Sequence, residues 1–274
     1  MLRILVKKLI QGIIMLIVVS AITFALLSAA GGDAFTSLRD NPQVSEKTIE
    51  ELRRIYGLDR PLGVRYASWL GGAATGDLGE SFLYRIPVSG LVWSRFLKTS
   101  SMALIAFAIA VLISFLLALA SVLYRHRLLK GIIELVILLS ASTPRMVLAL
   151  LALVVMLQLS FAAGAAGADS PAQLIAGAIV LAVPLISIFL AQLRDALADV
   201  MAEDFIRLAR AKGLSETAVI TRHALRAAVN PFLTIAGLSL GGLLGGSVIV
   251  EMVLGWPGLG ALTVRRCGHA TFRS

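Results

Sequence analysis

The sequence predicts an all-α polytopic membrane protein with five transmembrane helices. Of its 274 residues, 58% are hydrophobic and only 15% are charged, and the mean hydropathy is +0.89. Soluble domains carry about a quarter charged residues, so this apolar excess requires lipid. A helix needs about 20 mostly apolar residues to cross a bilayer. Five stretches meet this need: Leu9 to Ala30, Ser101 to Tyr124, Ile132 to Phe161, Pro171 to Leu193 and Phe232 to Leu254.

The first of these stretches also has features of a cleaved signal peptide, because basic residues precede it and small residues end it. Its apolar run is longer than the roughly 7 to 15 residues of a signal-peptide core. We therefore expect an uncleaved span at the N-terminus.

The positions of lysine and arginine predict the orientation, because these residues concentrate in short cytoplasmic loops. The segment before the first span and the loop between the second and third spans are basic, whereas residues 162–170 carry only Asp169. The N-terminus is thus expected in the cytoplasm. The basic residues concerned are Arg3, Lys7, Lys8, Arg125, Arg127 and Lys130.

Two long hydrophilic segments lie between spans and are expected on opposite sides of the membrane. Residues 31–98 face outward and are predicted to form an extracytoplasmic (periplasmic) cap, with a helix near residues 45–56 where apolar residues recur at helical spacing. Residues 194–230 form a cytoplasmic loop. Both segments are treated as parts of one transmembrane domain, residues 1–274.

Composition and the scarce reactive side chains exclude several classes of function. The net charge is +9, but no basic run alternates with aromatic residues as single-stranded nucleic acid binding requires, so no nucleic acid partner is expected. A lone cysteine, Cys267, excludes an internal disulfide and a zinc site built on several cysteines. The histidines, His126, His223 and His269, all lie outside the spans, which disfavours an intramembrane enzyme with a buried Ser-His or metal pair. No catalytic, metal or cofactor-binding residue is predicted.

The cytoplasmic loop has the pattern of two helices joined by a glycine turn. A helix is predicted over residues 199–211, and Gly213 follows it as a left-handed C-cap. Ser215 is then the N-cap of a second, basic helix. Asn230 and Pro231 are start signals for the fifth span. Spacing alone is more typical of a generic solvated connector between spans.

The residues of this loop are more specific than their spacing. FIRLARAKGLSETAVITRHALR, from Phe205 to Arg226, resembles the EAA loop of ABC importer permeases in the form found in dipeptide, oligopeptide and nickel systems. The general family pattern ends in Ile-x-Leu-Pro, whereas residues 223–226 read HALR, as they do in that branch. The resemblance implies a coupling helix that docks on a partner ATPase. It assigns that role to Ala209, Arg210, Ala211, Lys212, Gly213, Leu214, His223 and Leu225.

The resemblance covers almost the whole chain. Residues 57–70 and 76–88 are similar to the family's outer segment, and SVIVEMVLGWPGLGAL, residues 247–262, is similar to its segment after the fifth span. This implies the type I ABC importer permease fold in a bacterial inner membrane. The implied partners are a second permease, ATPase subunits and an extracytoplasmic substrate-binding protein. The chain has no Gly-x4-Gly-Lys-Ser/Thr string, so ATP belongs to the partner ATPases and not to this chain.

Two features within the spans are candidate functional sites. Gly237, Gly241 and Gly245 recur every fourth residue, a spacing that lets helix backbones approach closely, and we assign them to an interface with the second permease. Arg145 and Glu251 are charged residues that we assign to the translocation path, because an intramembrane charge tends to face a cavity. Arg145 could equally snorkel or be buried in protein.

The remaining alternatives concern mechanism and substrate. A channel or secondary transporter that works without an ATPase would not explain the EAA-type loop, and copurification with an ATPase separates the two. Dipeptide, oligopeptide, nickel and opine systems share these motifs, so the substrate is left open.

The family resemblance also predicts that a sixth transmembrane helix is missing. Family members continue beyond the Trp-Pro-Gly segment into one more helix, whereas residues 265–274 read RRCGHATFRS. A shifted reading frame after Val264 is one interpretation, and a natural short form is the other. The nucleotide sequence distinguishes them.

Overall fold

The computed structural model describes residues 2–29, 47, 51, 54, 57, 59–81, 86–124, 126–163 and 170–263. Within this part of the chain the protein is all-helical apart from one isolated β-bridge, between Glu80 and Pro87. The described residues form two compact units, one up to Trp93 and one from Ser94 onward. Most of the expected cap helix at residues 45–56, the outer loop at Asp169 and the segment after Val264 lie outside the described residues.

In the first unit, helix α1 (Leu2–Ala29) packs against the shorter α2 (Leu62–Ala74). The Tyr66 hydroxyl lies 2.8 Å from the hydroxyl of Ser20, and its ring meets Phe24 edge-on at 5.6 Å. Trp69 stacks on Tyr66 at 6.1 Å. The segment that carries the family-like residues 57–70 therefore docks on the first span through aromatic side chains.

The second unit is a helical bundle. It contains most of α3 (Val88–Leu123), then α4 (Arg127–Ser142), α5 (Arg145–Ala163), α6 (Pro171–Met201), α7 (Asp204–Ala211) and the single turn α8 (Glu216–Ala218). A π-helix (Val219–Ala224), α9 (Leu225–Gly246) and α10 (Val248–Leu254) follow. Residues 259–263 add a last helical turn.

Helix α6 is the centre of this bundle and packs against α4, α5, α9 and α10. Its Phe189 meets Phe107 of α3 and Phe232 of α9 edge-on, at 5.6 and 5.2 Å. Phe232 in turn meets Phe115 at 5.2 Å. Edge-to-face pairs add to the burial of aromatic area, so these rings join α3, α6 and α9 into one core.

The span prediction is confirmed in number and corrected in shape. Among the described residues, four helices are long and apolar enough to cross a membrane, and the pair α4 and α5 makes a fifth candidate. That pair is bent by 97°, so a straight third span from Ile132 to Phe161 is wrong. The break falls at Thr143, which is extended at φ −90° and ψ 117°. Pro144 explains it, because the residue before a proline is pushed out of the helical region.

The prediction that Pro231 begins the fifth helix is wrong. Pro231 lies inside α9, and helical structure runs without interruption from Glu216 to Gly246. An internal proline removes one backbone hydrogen bond, and the surrounding helix tolerates the loss here. The irregularity lies upstream, in the π-helix of residues 219–224.

Candidate functional site

The loop of residues 194–230, which is predicted to be cytoplasmic, contains a tight helix–turn–helix. Gly213 has φ +80°, and its N–H donates to the carbonyl of Arg210 at 2.9 Å. The Ser215 hydroxyl accepts from the N–H of Ala218 at 3.3 Å and so caps α8. The predicted glycine C-cap and serine N-cap are thus both present. The predicted helix over residues 199–211 is wrong at its start, because α6 ends at Met201 and α7 begins at Asp204.

A bidentate ion pair braces this turn. The Arg210 guanidinium donates to both carboxylate oxygens of Glu216, with Nε–Oε2 at 3.1 Å and Nη2–Oε1 at 2.7 Å. The hydrogen bond to Glu216 raises the pKa of Arg210 above its ordinary value, so the arginine stays charged. Paired nitrogens and oxygens fix the relative position of α7 and α8 more closely than a single contact does.

Helix α7 has two apolar faces, and only one of them is buried. Ile206 and Ala209 point into the protein, where they pack beside the π-helix. Phe205 is 45% exposed and Leu208 is 58% exposed, and the neighbouring Leu214 is 40% exposed. We call these three residues the coupling face.

Some of the residues that the sequence assigns to coupling are exposed, and others are partly or fully buried. Ala211, Lys212, Gly213, Leu214 and His223 are exposed, whereas Leu225 and Arg210 are half-buried. Ala209 is buried, so its small side chain serves the packing of α7 against the π-helix. The sequence analysis did not assign Phe205 and Leu208 to this role. A signal for them exists in the sequence, because the short helix α7 has apolar residues on two faces.

A second constellation surrounds Glu251, whose side chain is fully buried. One carboxylate oxygen accepts from the hydroxyls of Thr99 at 2.7 Å and Ser247 at 3.0 Å. The other accepts from the backbone N–H of Gly260 at 2.7 Å and of Ala261 at 3.3 Å. Four neutral donors therefore surround the carboxylate, and no described lysine or arginine forms an ion pair with it. Thr99 lies in α3, and its hydroxyl also accepts from the N–H of Leu259 at 2.9 Å. We call this set of hydrogen bonds the Glu251 network, and it joins α3 to α10 and to the turn that follows α10.

The glycines of residues 255–260 explain why the chain can close around this carboxylate. Gly255 ends α10 with φ +70°, a left-handed conformation that favours glycine. A Cβ at Gly258 would collide with the carboxylate of Glu251, and one at Gly260 would lie 2.5 Å from Cα of Val248. The turn is thus built to bring its backbone against α10.

Further contacts fasten the same turn to the neighbouring helices. Arg95 of α3 donates to the carbonyl of Pro257 at 2.9 Å, and the Trp256 indole donates to the carbonyl of Lys98 at 3.2 Å. From α6, the Gln173 side chain donates to the carbonyl of Leu254 at 3.0 Å. The ends of α3, α6 and α10 are therefore held together at one place, the outer end of the bundle under the predicted topology.

The glycine row of α9 faces no other described part of the chain. Ideal Cβ atoms built on Gly237, Gly241 and Gly245 meet no heavy atom within 4 Å, and all three residues are exposed. Gly246, on the neighbouring row, differs because the Arg145 guanidinium lies against it. The structure thus brings Arg145 to the glycine-rich end of α9, while Glu251 is turned into the protein interior.

An open cavity of about 610 Å³ lies at the other end of α6, between α3, α4 and α6. Charged side chains of both signs line it, and Arg194 lies 3.9 Å from Glu134 and 3.5 Å from Asp195. Within the described part of the chain, no cluster of three histidine, cysteine, aspartate or glutamate side chains could hold a metal ion.

Comparison with known proteins agrees with this architecture. Residues 110–266 match the family model of the binding-protein-dependent transport system inner membrane component, and residues 1–103 match the model of its N-terminal part. The glutathione transport system permease protein GsiC of Salmonella choleraesuis (strain SC-B67) is 34% identical over 264 residues, covering 96% of this chain and 86% of that protein.

Two further likenesses extend the comparison. A putative peptide permease protein of Brucella suis biovar 1 is 32% identical over 276 residues, with the same coverage of 96% and 86%. A crystal structure of an amino acid ABC transporter with histidines has a TM-score of 0.54 at 21% identity, over 71% of this chain and 86% of that chain. The second likeness concerns the fold alone, and it confirms the expected ABC permease fold. The chain therefore belongs to the family of binding-protein-dependent transport system inner membrane components, and it is a permease subunit of an ABC importer and not an enzyme.

Proposed function

We propose that the chain works with a second permease, ATPase subunits and an extracytoplasmic binding protein to import a peptide-type substrate. The relatives named glutathione and peptide permeases support this substrate class over nickel or opines. The basic segment around Lys7 and Lys8 supports a cytoplasmic N-terminus in the inner membrane.

The observation that carries the proposal is the coupling face. Phe205, Leu208 and Leu214 leave apolar surface exposed on a loop that is otherwise polar, beside a turn that an ion pair holds rigid. Exposed apolar groups on a rigid element are what a partner protein can cover. We assign this face, together with the exposed Ala211, Lys212, Gly213 and His223, to a groove on the ATPase.

Two other sites belong to the proposal. The exposed Gly237, Gly241 and Gly245 support a close contact with the second permease, because no described helix fills that face. Arg145 is placed on the translocation path. Glu251 is proposed to act on that path indirectly, by holding the outer turn, since its carboxylate is enclosed by donors.

The test is copurification of the ATPase with a Phe205→Ser, Leu208→Ser double variant. Both side chains are more than a third exposed, so the chain itself should keep its stability and insertion, because most exposed substitutions change stability by less than about 0.5 kcal/mol. Loss of the ATPase from the purified complex is the expected result. Asp199→Asn, at an exposed polar position of the same loop, is the matched control and should retain it. Equal ATPase recovery in both variants would show that the coupling face is not the docking site.

A further inference from the structure

The side chain of Arg145 is a cation for which the described chain offers no partner. It is half-buried, and it makes no hydrogen bond or ion pair with any described residue. Other arginines of the second unit reach an oxygen: Arg95 a carbonyl, Arg194 and Arg207 carboxylates, and Arg210 both oxygens of Glu216. Further arginines without a described partner are all exposed, unlike Arg145: Arg127, Arg222 and Arg226. An arginine within the apolar part of a membrane domain is costly and tends to serve a function.

The local structure fixes where this charge lies. Arg145 is the first residue of α5, directly after the Thr143–Pro144 break that bends the chain by 97°. Its guanidinium lies against Gly246, where any side chain would collide with it. Gly246 is about two helical turns before Leu254, whose carbonyl accepts from Gln173 at the opposite end of the bundle from the coupling loop. Arg145 therefore lies at the break inside the α4–α5 pair and not at either end of that candidate span.

Both the side chain and the backbone at this position favour an anion. The guanidinium presents a planar fork of donors that matches a carboxylate. The N-terminus of α5, which begins at the same residue, carries the positive end of the helix dipole. Glu251, the acid assigned to the same path, is fully buried and already accepts four hydrogen bonds, so it is not available as a counter-ion.

We propose that Arg145, beside Gly246 at the end of α9, binds the carboxylate of the transported substrate. This inference rests on the proposed peptide-type function and specifies how that substrate is recognised within the membrane. A peptide bears a free carboxylate at its C-terminus, and glutathione bears two. The guanidinium would thus favour transport of substrates with an anionic group over transport of substrates without one.

The experiment uses the full transporter, with second permease, ATPases and binding protein, reconstituted in proteoliposomes. Uptake is measured for two pairs of probes: glutathione and its diethyl ester, and trialanine and its C-terminal amide. In the native complex the acid should be preferred over the form that has no carboxylate. In Arg145→Gln that preference, as the ratio of kcat/KM values, should fall at least about tenfold, because a charge-assisted bidentate contact is lost.

The controls separate recognition from assembly and from folding. Arg145→Lys keeps the charge without the fork and should keep part of the preference. Arg127→Gln removes an exposed arginine at the start of α4 and should keep all of it. The binding protein is the same in every measurement, so a change in the ratio reports the permease. Transport of the amide and of the ester should continue in Arg145→Gln.

Three outcomes would overturn the inference. If the native complex imports both pairs and the ratio is unchanged in Arg145→Gln, Arg145 does not read the carboxylate although the proposed function stands. If Arg145→Gln fails to copurify with the second permease while Arg145→Lys does so, Arg145 pairs with an acid of that subunit. A native complex that imports neither pair would refute the proposed substrate class and this inference with it.

Discussion

Replacement of Glu251 is the sharpest test of the outer architecture, because its carboxylate collects four donors from three separate parts of the second unit. In Glu251→Ala the hydroxyls of Thr99 and Ser247 can rotate toward other acceptors, whereas the N–H groups of Gly260 and Ala261 cannot. An orphaned buried donor costs about 1 to 3 kcal/mol. Two of them predict a loss of about 2 to 6 kcal/mol in the free energy of unfolding.

Glu251→Gln should cost about half as much. The amide oxygen can keep the two backbone N–H donors, and the amide NH₂ then faces the hydroxyls of Thr99 and Ser247, which can accept as well as donate. The loss is the difference between charged and neutral acceptors, about 1 to 3 kcal/mol. Glu251→Ala should lower the free energy of unfolding more than Glu251→Gln does. This order follows from the positions of the donors and not from the loss of charge alone.

The assay is denaturant unfolding of the purified complex in detergent, followed by tryptophan fluorescence, to which Trp256 in the affected turn contributes. Thr99→Val removes one donor to Glu251 and the acceptor for Leu259, so its effect should be less than additive with that of Glu251→Gln. Thr263→Val, whose hydroxyl bonds only locally to Gly260, is the matched control. Additive effects, or a Glu251→Ala variant as stable as the native protein, would refute the network.

Three further predictions concern other parts of the chain. Gly213→Val should strain a turn at φ +80° by about 1 to 3 kcal/mol and lower transport while membrane insertion stays normal, which vesicle uptake and membrane fractionation measure together. Gly177→Val should destabilise the chain itself, because a Cβ there collides with Met102 of α3. Gly241→Val, where a Cβ meets no atom of the described chain, should leave the chain intact and prevent copurification of the second permease. Crosslinks from the binding protein should map to the cap, residues 31–98, and crosslinks found only elsewhere would contradict that assignment.

The positions of the spans were predictable because they depend on local composition alone. An apolar run of sufficient length must lie in lipid wherever the rest of the chain goes. The break at Thr143 and the continuity at Pro231 show the limit of such local signals. Proline costs a helix one hydrogen bond at either site, and the packing around it decides whether the helix bends or continues.

The two candidate sites differ in how far sequence could reveal them. The glycine and serine caps of the coupling loop are local signals, and both were predicted correctly. The orientation of Ala209 was not, because only the packing of α7 on the π-helix determines which small residue faces inward. The partners of Glu251 could not be read from the sequence, since Thr99 lies more than half the chain away.

The coupling loop and the outer network are joined by one long helical element, and this constrains how the subunit can move. Helix runs from Glu216 to Gly246, and at the junction with α10 Ser247 still donates to Leu243 and accepts from Glu251 through its backbone. We therefore expect a displacement of the coupling loop to reach α9 as a rigid-body shift. The edge-to-face phenylalanines tie α3 and α6 to the same element.

We infer that α3, α6 and α9 move as one body and that bending is confined to the α4–α5 break. Spin labels at the exposed Leu112 of α3 and Leu238 of α9 should keep their distance between the nucleotide-free and ATP-trapped complex. A change larger than the ~5 Å pitch of a helical turn would contradict the single body. Labels on α5, at the exposed Leu151, should by contrast shift relative to Leu238, because Pro144 leaves no continuous helix to transmit the position of α4.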